Sequence, residues 1–261
     1  MQDIQKWNES AAEYQRVFQL GLSDYNKELL SFLVDEGLLR PGCRVIDVGC
    51  GVGKYGTYFA AMGCDVTLTD ISSGMLELAR ANMSAFDTPW TTLECDFQTV
   101  DPAHPVFREG FDLAISTMCP AIGDVESVKK INAMVRGGCF ITHFTAWEEP
   151  LRKKFFEKLG IGPEENMNRF SYHIETLVEA VKETGCEPQI RHVPYGWCDE
   201  RSAEEAADYL LGRIEKLEIT DELRTRAIAI AGELCDERGM FMDAVNTTVA
   251  WVWWKTKGEK A

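Results

Sequence analysis

The sequence predicts an α/β protein built on a doubly wound, mostly parallel sheet of seven strands, and two observations carry that expectation. Short apolar runs alternate with helical patterns from about residue 43 to residue 144. Such alternation marks a parallel sheet covered by helices on both faces. The stretch 45–53, VIDVGCGVG, also joins a buried strand to a three-glycine turn and the opening of a helix. Glycines at 49, 51 and 53 admit positive φ and let a ligand approach the backbone without meeting a Cβ. Free amides at the helix start suit an anionic or polar ligand group.

Taken in order, residues 3–20 place Trp7, Ala11, Tyr14 and Phe18 on one face of a helix. A second helix starts near Ser23, carries Leu29, Leu30, Leu33 and Val34, and stops at Gly37. The first strand is expected at 43–48. After the glycine turn, Tyr55, Tyr58, Phe59 and Met62 keep helical spacing up to a terminating Gly63. A second strand at 64–69 ends at Asp70, and Ser72 is the expected N-cap of a helix with Met75, Leu76, Ala79 and Met83 inward. Further strands are expected at 90–95 and 111–116, a helix at 124–135, and a fifth strand at 139–144 after a Gly137-Gly138 turn. Helices at 151–159 and 173–184 follow, then a sixth strand at 187–193 broken by Pro194. A long acidic helical region, 202–237, precedes a final strand at 245–254. That strand is continuously apolar, so both of its faces should be covered.

Carboxylates stand at the ends of the first three strands: Asp47, Asp70 and Asp96. In a doubly wound sheet these ends open on one crevice, where ligands bind. A capping role explains any one of them but not all three in register. The string GVGKYG at 51–56, with Asp70 downstream, also fits a dinucleotide fingerprint. Asp47 tips the balance, because a carboxylate facing the ligand repels a pyrophosphate and welcomes an α-ammonium or a sulfonium. The segment D-V-G-C-G-x-G, with Asp70 closing the next strand, resembles the first motif of class I S-adenosylmethionine (SAM)-dependent methyltransferases. The resemblance covers 45–144 well and the rest by topology.

That resemblance implies an antiparallel last strand and one methyltransferase domain over 1–261: a helical cap at 1–40, a SAM-binding core at 41–145 and a helical lid at 195–240 between strands six and seven. It implies cofactor contacts at Tyr14, Asp47, Gly49, Cys50, Gly51, Gly53, Asp70, Ile71, Met75, Asp96, Phe97, Thr117 and Met118. Asp70 would take the ribose hydroxyls, and Asp96 with Phe97 the adenine. Trp7 and Tyr14 either fold over the cofactor or simply pack. The lid reading makes Tyr195 and Trp197 acceptor-pocket residues, while Trp251, Trp253 and Trp254 read as core.

Methyl transfer from a sulfonium needs donor and acceptor held collinear in a dry site, and little further machinery. Where an acceptor needs a base, His143, expected at the end of the fifth strand, is the candidate, against a buried structural histidine. The segment 116–124, STMCPAIGD, departs from the pattern of methylases acting on planar amines. There Cys119 is either an acceptor-side contact or a structural thiol.

Composition narrows the partners. Net charge is −15, from 42 acidic and 27 basic residues, and no dense basic cluster lies beyond 152–154, read as the solvated side of a helix. A nucleic-acid substrate is therefore not expected. Nine cysteines form no C-x-x-C pair, which fits reduced thiols better than disulfides or a metal site. With no long apolar run and no signal-like start, the expectation is a soluble cytoplasmic enzyme that methylates a small molecule using SAM. The alternatives are a SAM-binding regulatory or scaffold protein without transfer, and an NAD-dependent oxidoreductase.

Overall fold

The computed structural model describes residues 4–162, 174–214 and 217–256. Its strands are β1 (Arg44–Val48), β2 (Asp65–Asp70), β3 (Trp90–Glu94), β4 (Phe111–Thr117), β5 (Val135–Glu148), β6 (Gln189–Ser202) and β7 (Met240–Lys255). They form one sheet in the order β3-β2-β1-β4-β5-β7-β6. Pairings β1 with β2 and β4, β2 with β3, and β4 with β5 are parallel, and the last strand is antiparallel, as expected. The helices are α1 (Ile4–Gln19), α2 (Asp24–Asp35), α3 (Lys54–Ala61), α4 (Ser73–Met83), α5 (Val125–Met134), α6 (Pro150–Leu159), α7 (Ile174–Glu183), α8 (Ala203–Leu211) and α9 (Asp221–Glu233). Of the helix expected at 173–184, Ile174–Glu183 is helical, and His173 lies outside the described residues.

Two compact units divide the chain: 1–143 with 172–192 and 250–261, and 144–171 with 193–249. The expected cap and nearly all of the expected core fall in the first unit, and the expected lid in the second. The first unit's core joins Ile46, Phe111, Ile141, Leu177 and Trp254 around the parallel strands. Each fully buried side chain of this kind stabilises by roughly 1.5–3 kcal/mol relative to exposure. Ser23 opens α2 with a capping box. Its Oγ accepts from the Asn26 amide, and the Asn26 side chain donates to the Tyr55 hydroxyl at 2.9 Å, fastening α2 to α3. On α2 the inward residues are Leu29, Phe32 and Leu33, while Val34 is exposed.

The second unit packs Phe155, Leu210, Ala231 and Phe241 into a separate core. Arg152, read as solvated, is instead 3% exposed: its guanidinium donates to both oxygens of buried Asp243, at 2.5 and 2.8 Å. Arg201 donates to the same carboxylate at 2.5 Å and lies over the Tyr209 ring at 4.0 Å. A buried arginine is tolerated because its charge is paired and its donors are used.

Three strand boundaries differ from expectation. Gly137 and Gly138 lie inside β5, which follows α5 without a loop. A Cβ on Gly137 would stand 2.1 Å from the Asp112 carbonyl oxygen, and the pairing with β4 shifts register between Phe111 and Leu113. These glycines therefore permit a bulge and close strand approach, not a turn. Strand β6 runs through Pro194 to Ser202, since it ends the strand order and an edge strand tolerates a proline. The first part of the expected lid segment, 195–202, is therefore strand, and its helices begin at Ala203, close to the expected 202. Strand β7 starts at Met240, and its first half alternates buried and part-exposed residues; only 249–252 is buried without interruption.

Candidate cofactor site

A cavity in the first unit opens where β1, β2 and β4 end. Val48, Gly49 and Gly51 form its floor, and Thr69, Asp70 and Ile71 follow from β2. Cys95, Asp96 and Phe97 enter after β3, Thr117 closes β4, and Met118 to Ala121 follow it. Helix α1 supplies Trp7 and Tyr14, and α4 supplies Met75. Of the expected cofactor residues, the cavity gathers Tyr14, Gly49, Gly51, Asp70, Ile71, Met75, Asp96, Phe97, Thr117 and Met118, and it adds Cys119 from the expected acceptor side. Among the described residues, no lysine, arginine or histidine lines it.

The turn is shaped by its neighbours. The Gly49 and Cys50 amides both donate to the Thr69 carbonyl, at 2.8 and 3.0 Å. Gly49 has φ +71°, and a Cβ there would stand 2.2 Å from the Cys119 sulfur, so both conformation and space demand glycine. Asp70 holds two elements at once: one carboxyl oxygen accepts from the Gly51 amide and the other from the Ser72 amide, each at 2.9 Å. Ser72 caps α4 through the Met75 amide, as its position predicts. After β3, Asp96 accepts from the Gln98 amide at 2.9 Å, and the Lys130 ammonium donates to the Phe97 and Gln98 carbonyls, pinning that loop. Met118, on the opposite wall, has φ +54°, the one positive value outside glycine among the described residues. Such a backbone costs about 1 kcal/mol or more and collects at functional sites.

Helix α1 is fastened by a polar stripe that sequence reading passed over. The Asn8 carbonyl oxygen accepts from the Ser72 hydroxyl at 2.6 Å and from the Gly74 amide at 3.1 Å. One turn pair further, Gln15 and Asn82 exchange hydrogen bonds at 3.0 and 2.9 Å, and Asn82 also donates to the Val52 carbonyl. Asn8 and Gln15 lie seven residues apart on the face that carries Ala11, a spacing visible in the sequence once a polar docking face is sought. Trp7 and Tyr14 stand edge to face at 6.5 Å beside it.

Burial and acidic neighbours dominate the electrostatics. Asp47 is 1% exposed, neither of its carboxyl oxygens has a hydrogen-bond partner, and burial with the Asp70 charge lifts its pKa to about 8. Burial raises the Asp70 pKa from its ordinary value, opposed by its amide bonds. Burial pushes the Cys119 thiol up to about 12, so it is no thiolate nucleophile near neutral pH. Tyr14 is raised by burial of its hydroxyl end and by Glu13 and Asp70, although its ring is exposed.

Six expected residues stay out of the cavity lining. Asp47 and Cys50 lie buried behind the turn, and Gly53 lets α3 approach Ala79 of α4. His143 lies within β5 rather than at its end, because that strand continues to Glu148. It is buried, its Nε2 donates to the Ile122 carbonyl at 3.1 Å, and burial lowers its pKa. Tyr195 and Trp197 sit on β6 in the second unit, in a run of rings with Trp147 and Phe144 spaced 4.9–5.6 Å apart. They are strand residues because β6 passes through Pro194. Trp7, which could equally have been packing, joins the lining, and so do Val48, Thr69, Cys95, Pro120 and Ala121, which were not expected as contacts; Thr69 and Cys95 flank strand-end acids, a position that could have revealed them.

Residues 45–138, the span that holds the turn and all three acids, match the methyltransferase domain family. Over that span the chain is similar to methyltransferase domains. The chain is 28% identical over 135 residues to the malonyl-[acyl-carrier protein] O-methyltransferase of Enterobacter lignolyticus (strain SCF1), covering 50% of each chain. It is also 28% identical over 109 residues to the magnesium-protoporphyrin O-methyltransferase of Rhodobacter capsulatus, covering 42% of this chain and 45% of that one. The chain thus spans about half the length of the curated relatives it matches. In fold, the chain is similar to a candidate methyltransferase of Bacillus halodurans C-125, at 15% identity and a TM-score of 0.52, covering 87% of this chain and 98% of that one.

Proposed function

We propose that the protein is a SAM-dependent methyltransferase acting on a small-molecule acceptor. The observation that carries this reading is a strand-end cavity with two carboxylates, Asp70 and Asp96, a third carboxyl group beneath it at Asp47, and, among the described residues, no basic side chain in its lining. A pyrophosphate would be repelled there, which disfavours NAD, whereas a cationic adenosyl ligand has its charge matched.

Asp70 would receive the ribose hydroxyls on the lone pairs left free by its two amide bonds. Asp96 and Phe97 would hold the adenine edge and face, with Ile71 and Met75 as its apolar wall. The Gly49–Gly51 turn, Thr117 and Met118 would surround the methionine part. When bound, SAM supplies a methyl group already activated on a sulfonium; the chain has to orient it and exclude water. The neutral Tyr14 hydroxyl can donate a hydrogen bond from above the turn. His143 is not given the role of base, since its ring is committed to the Ile122 carbonyl and lies outside the lining. The net charge of −15 supports a small acceptor over nucleic acid, and the O-methyltransferase names of the two relatives agree with it. Among the described residues no helix is long and apolar enough to cross a membrane. All nine cysteines are free thiols, which supports a reducing compartment such as the cytoplasm.

The test is calorimetry with SAM, its demethylated product and NAD, followed by radiolabel transfer into a metabolite extract, tRNA and DNA. SAM binding and a labelled metabolite are expected. Tight NAD binding without SAM binding would overturn the cofactor. Label in nucleic acid alone would overturn the substrate class, and SAM binding with no transfer to any pool would favour a regulatory role.

A further inference from the structure

This inference rests on the cofactor reading above and concerns Asp47, on β1. Its carboxyl group is sealed from water and neither oxygen finds a donor. An ionised carboxylate in that state is strongly disfavoured. The titratable groups facing it are Asp70 at the end of β2, Cys50 in the glycine turn and Cys119 after β4, with Tyr14 reaching Asp70 and Cys119 from α1. All are acids or neutral. The ammonium of Lys54, at the start of α3, is shifted by burial alone, with no carboxylate acting on it. Among the described residues no cation faces Asp47, and the adjoining cavity, floored by Val48 and Gly49, is where a counter-charge can arrive.

We propose that Asp47 selects for positive charge by proton exchange: its carboxyl keeps its proton in the free protein, and a cationic group of the cofactor, the α-ammonium or the sulfonium, replaces that proton on binding. The O–H bond breaks, its electron pair stays on the carboxylate, and the proton leaves to the buffer. Low-dielectric surroundings make the new charge pair stronger than it would be in water. With the Asp47 pKa lifted to about 8, nearly every free molecule carries the proton at pH 6.5, and each binding event releases about one. The α-amino group of SAM, with an ordinary pKa of about 7.7–8.0, is already protonated at that pH and does not offset the release.

The experiment is calorimetric titration of the full chain with SAM at pH 6.5 in two buffers of different ionisation enthalpy, repeated with 5′-methylthioadenosine, which carries neither cation. About one proton should be released with SAM and none with the neutral nucleoside, and SAM affinity should rise about eightfold from pH 6 to 7 and less steeply above that. Asp47→Asn should bind SAM without proton release and without that pH dependence. Buffer-independent heats for the wild type, the same release with both ligands, or full release from a folded Asp47→Asn would each overturn the proposal. If the variant fails to fold, the two-ligand comparison decides alone. Absence of any SAM binding would remove the cofactor reading and this inference with it, whereas binding without proton release removes this inference only.

Discussion

Asp70 illustrates how much one side chain in this site does, since its two oxygens tie the glycine turn to the start of α4 before any ligand arrives. Asp70→Ala should weaken SAM binding by about one to two decades, the loss of a charge-assisted contact worth about 1.5–3 kcal/mol, read by calorimetry. A variant that binds SAM as tightly as the wild type would deny Asp70 its ribose role. Asp47 makes a separate demand on stability. Its pKa in the folded chain is lifted from an ordinary 3.8 to about 8, so the folded state holds that proton more tightly than the unfolded one. The resulting stability is fully present below pH 4 and is lost as pH rises toward 8. Asp47→Asn should therefore melt at least about 3 °C above the wild type at pH 8, with the gap closing toward pH 5. Equal gaps at the two pH values would count against a protonated Asp47. The strand-end acids were legible because a charged residue closing an apolar run is conspicuous. The partnerless state of Asp47 was not, because the sequence cannot say which amides turn away. Nor could it show that the Cys119 sulfur packs against the only side of Gly49 where a side chain would go.

Among the elements, β1, β2, β4, α3 and α4 follow the sequence closely because local signals agree there: apolar runs of strand length, glycine stops and a serine cap. Where expectation and structure part, a local signal had two readings. Two adjacent glycines mark a turn or a bulge, and at Gly137 the nearby Asp112 carbonyl decides for the bulge. A proline ends a strand unless that strand is at an edge, and the position of β6 in the sheet is invisible in one dimension. The run Arg152, Lys153 and Lys154 looked uniformly solvated, yet its first member is claimed by Asp243, ninety-one positions away. Docking of α1 is likewise a matter of side-chain amides. Asn8→Ala removes two hydrogen bonds to the start of α4, and α1 should lose hydrogen-exchange protection by about 1–2 kcal/mol while the sheet keeps its own. Equal loss across β1 and β2 would mean that Asn8 supports the whole unit rather than the seating of α1.

At the scale of the molecule, fold class and strand count were legible because alternating strand and helix patterns leave few topologies open. The division into two units was not, since each of β5, β6 and β7 contributes residues to both and no composition change marks the crossings. The parallel pairing at the centre of the sheet has a further consequence, in time rather than in space. Val45 of β1 lies beside Leu113 of β4, so the floor and the opposite wall of the cavity come together only after a long intervening stretch of chain has been organised. Contacts of that span form slowly and late. A ligand that requires both walls therefore finds nothing to hold in the folding transition state. Saturating SAM should slow unfolding in proportion to the stability it adds while leaving the refolding rate within about twofold, as followed by the fluorescence of the seven tryptophans. Refolding accelerated by SAM would mean that the two walls meet early, and that the centre of this sheet is where the chain begins.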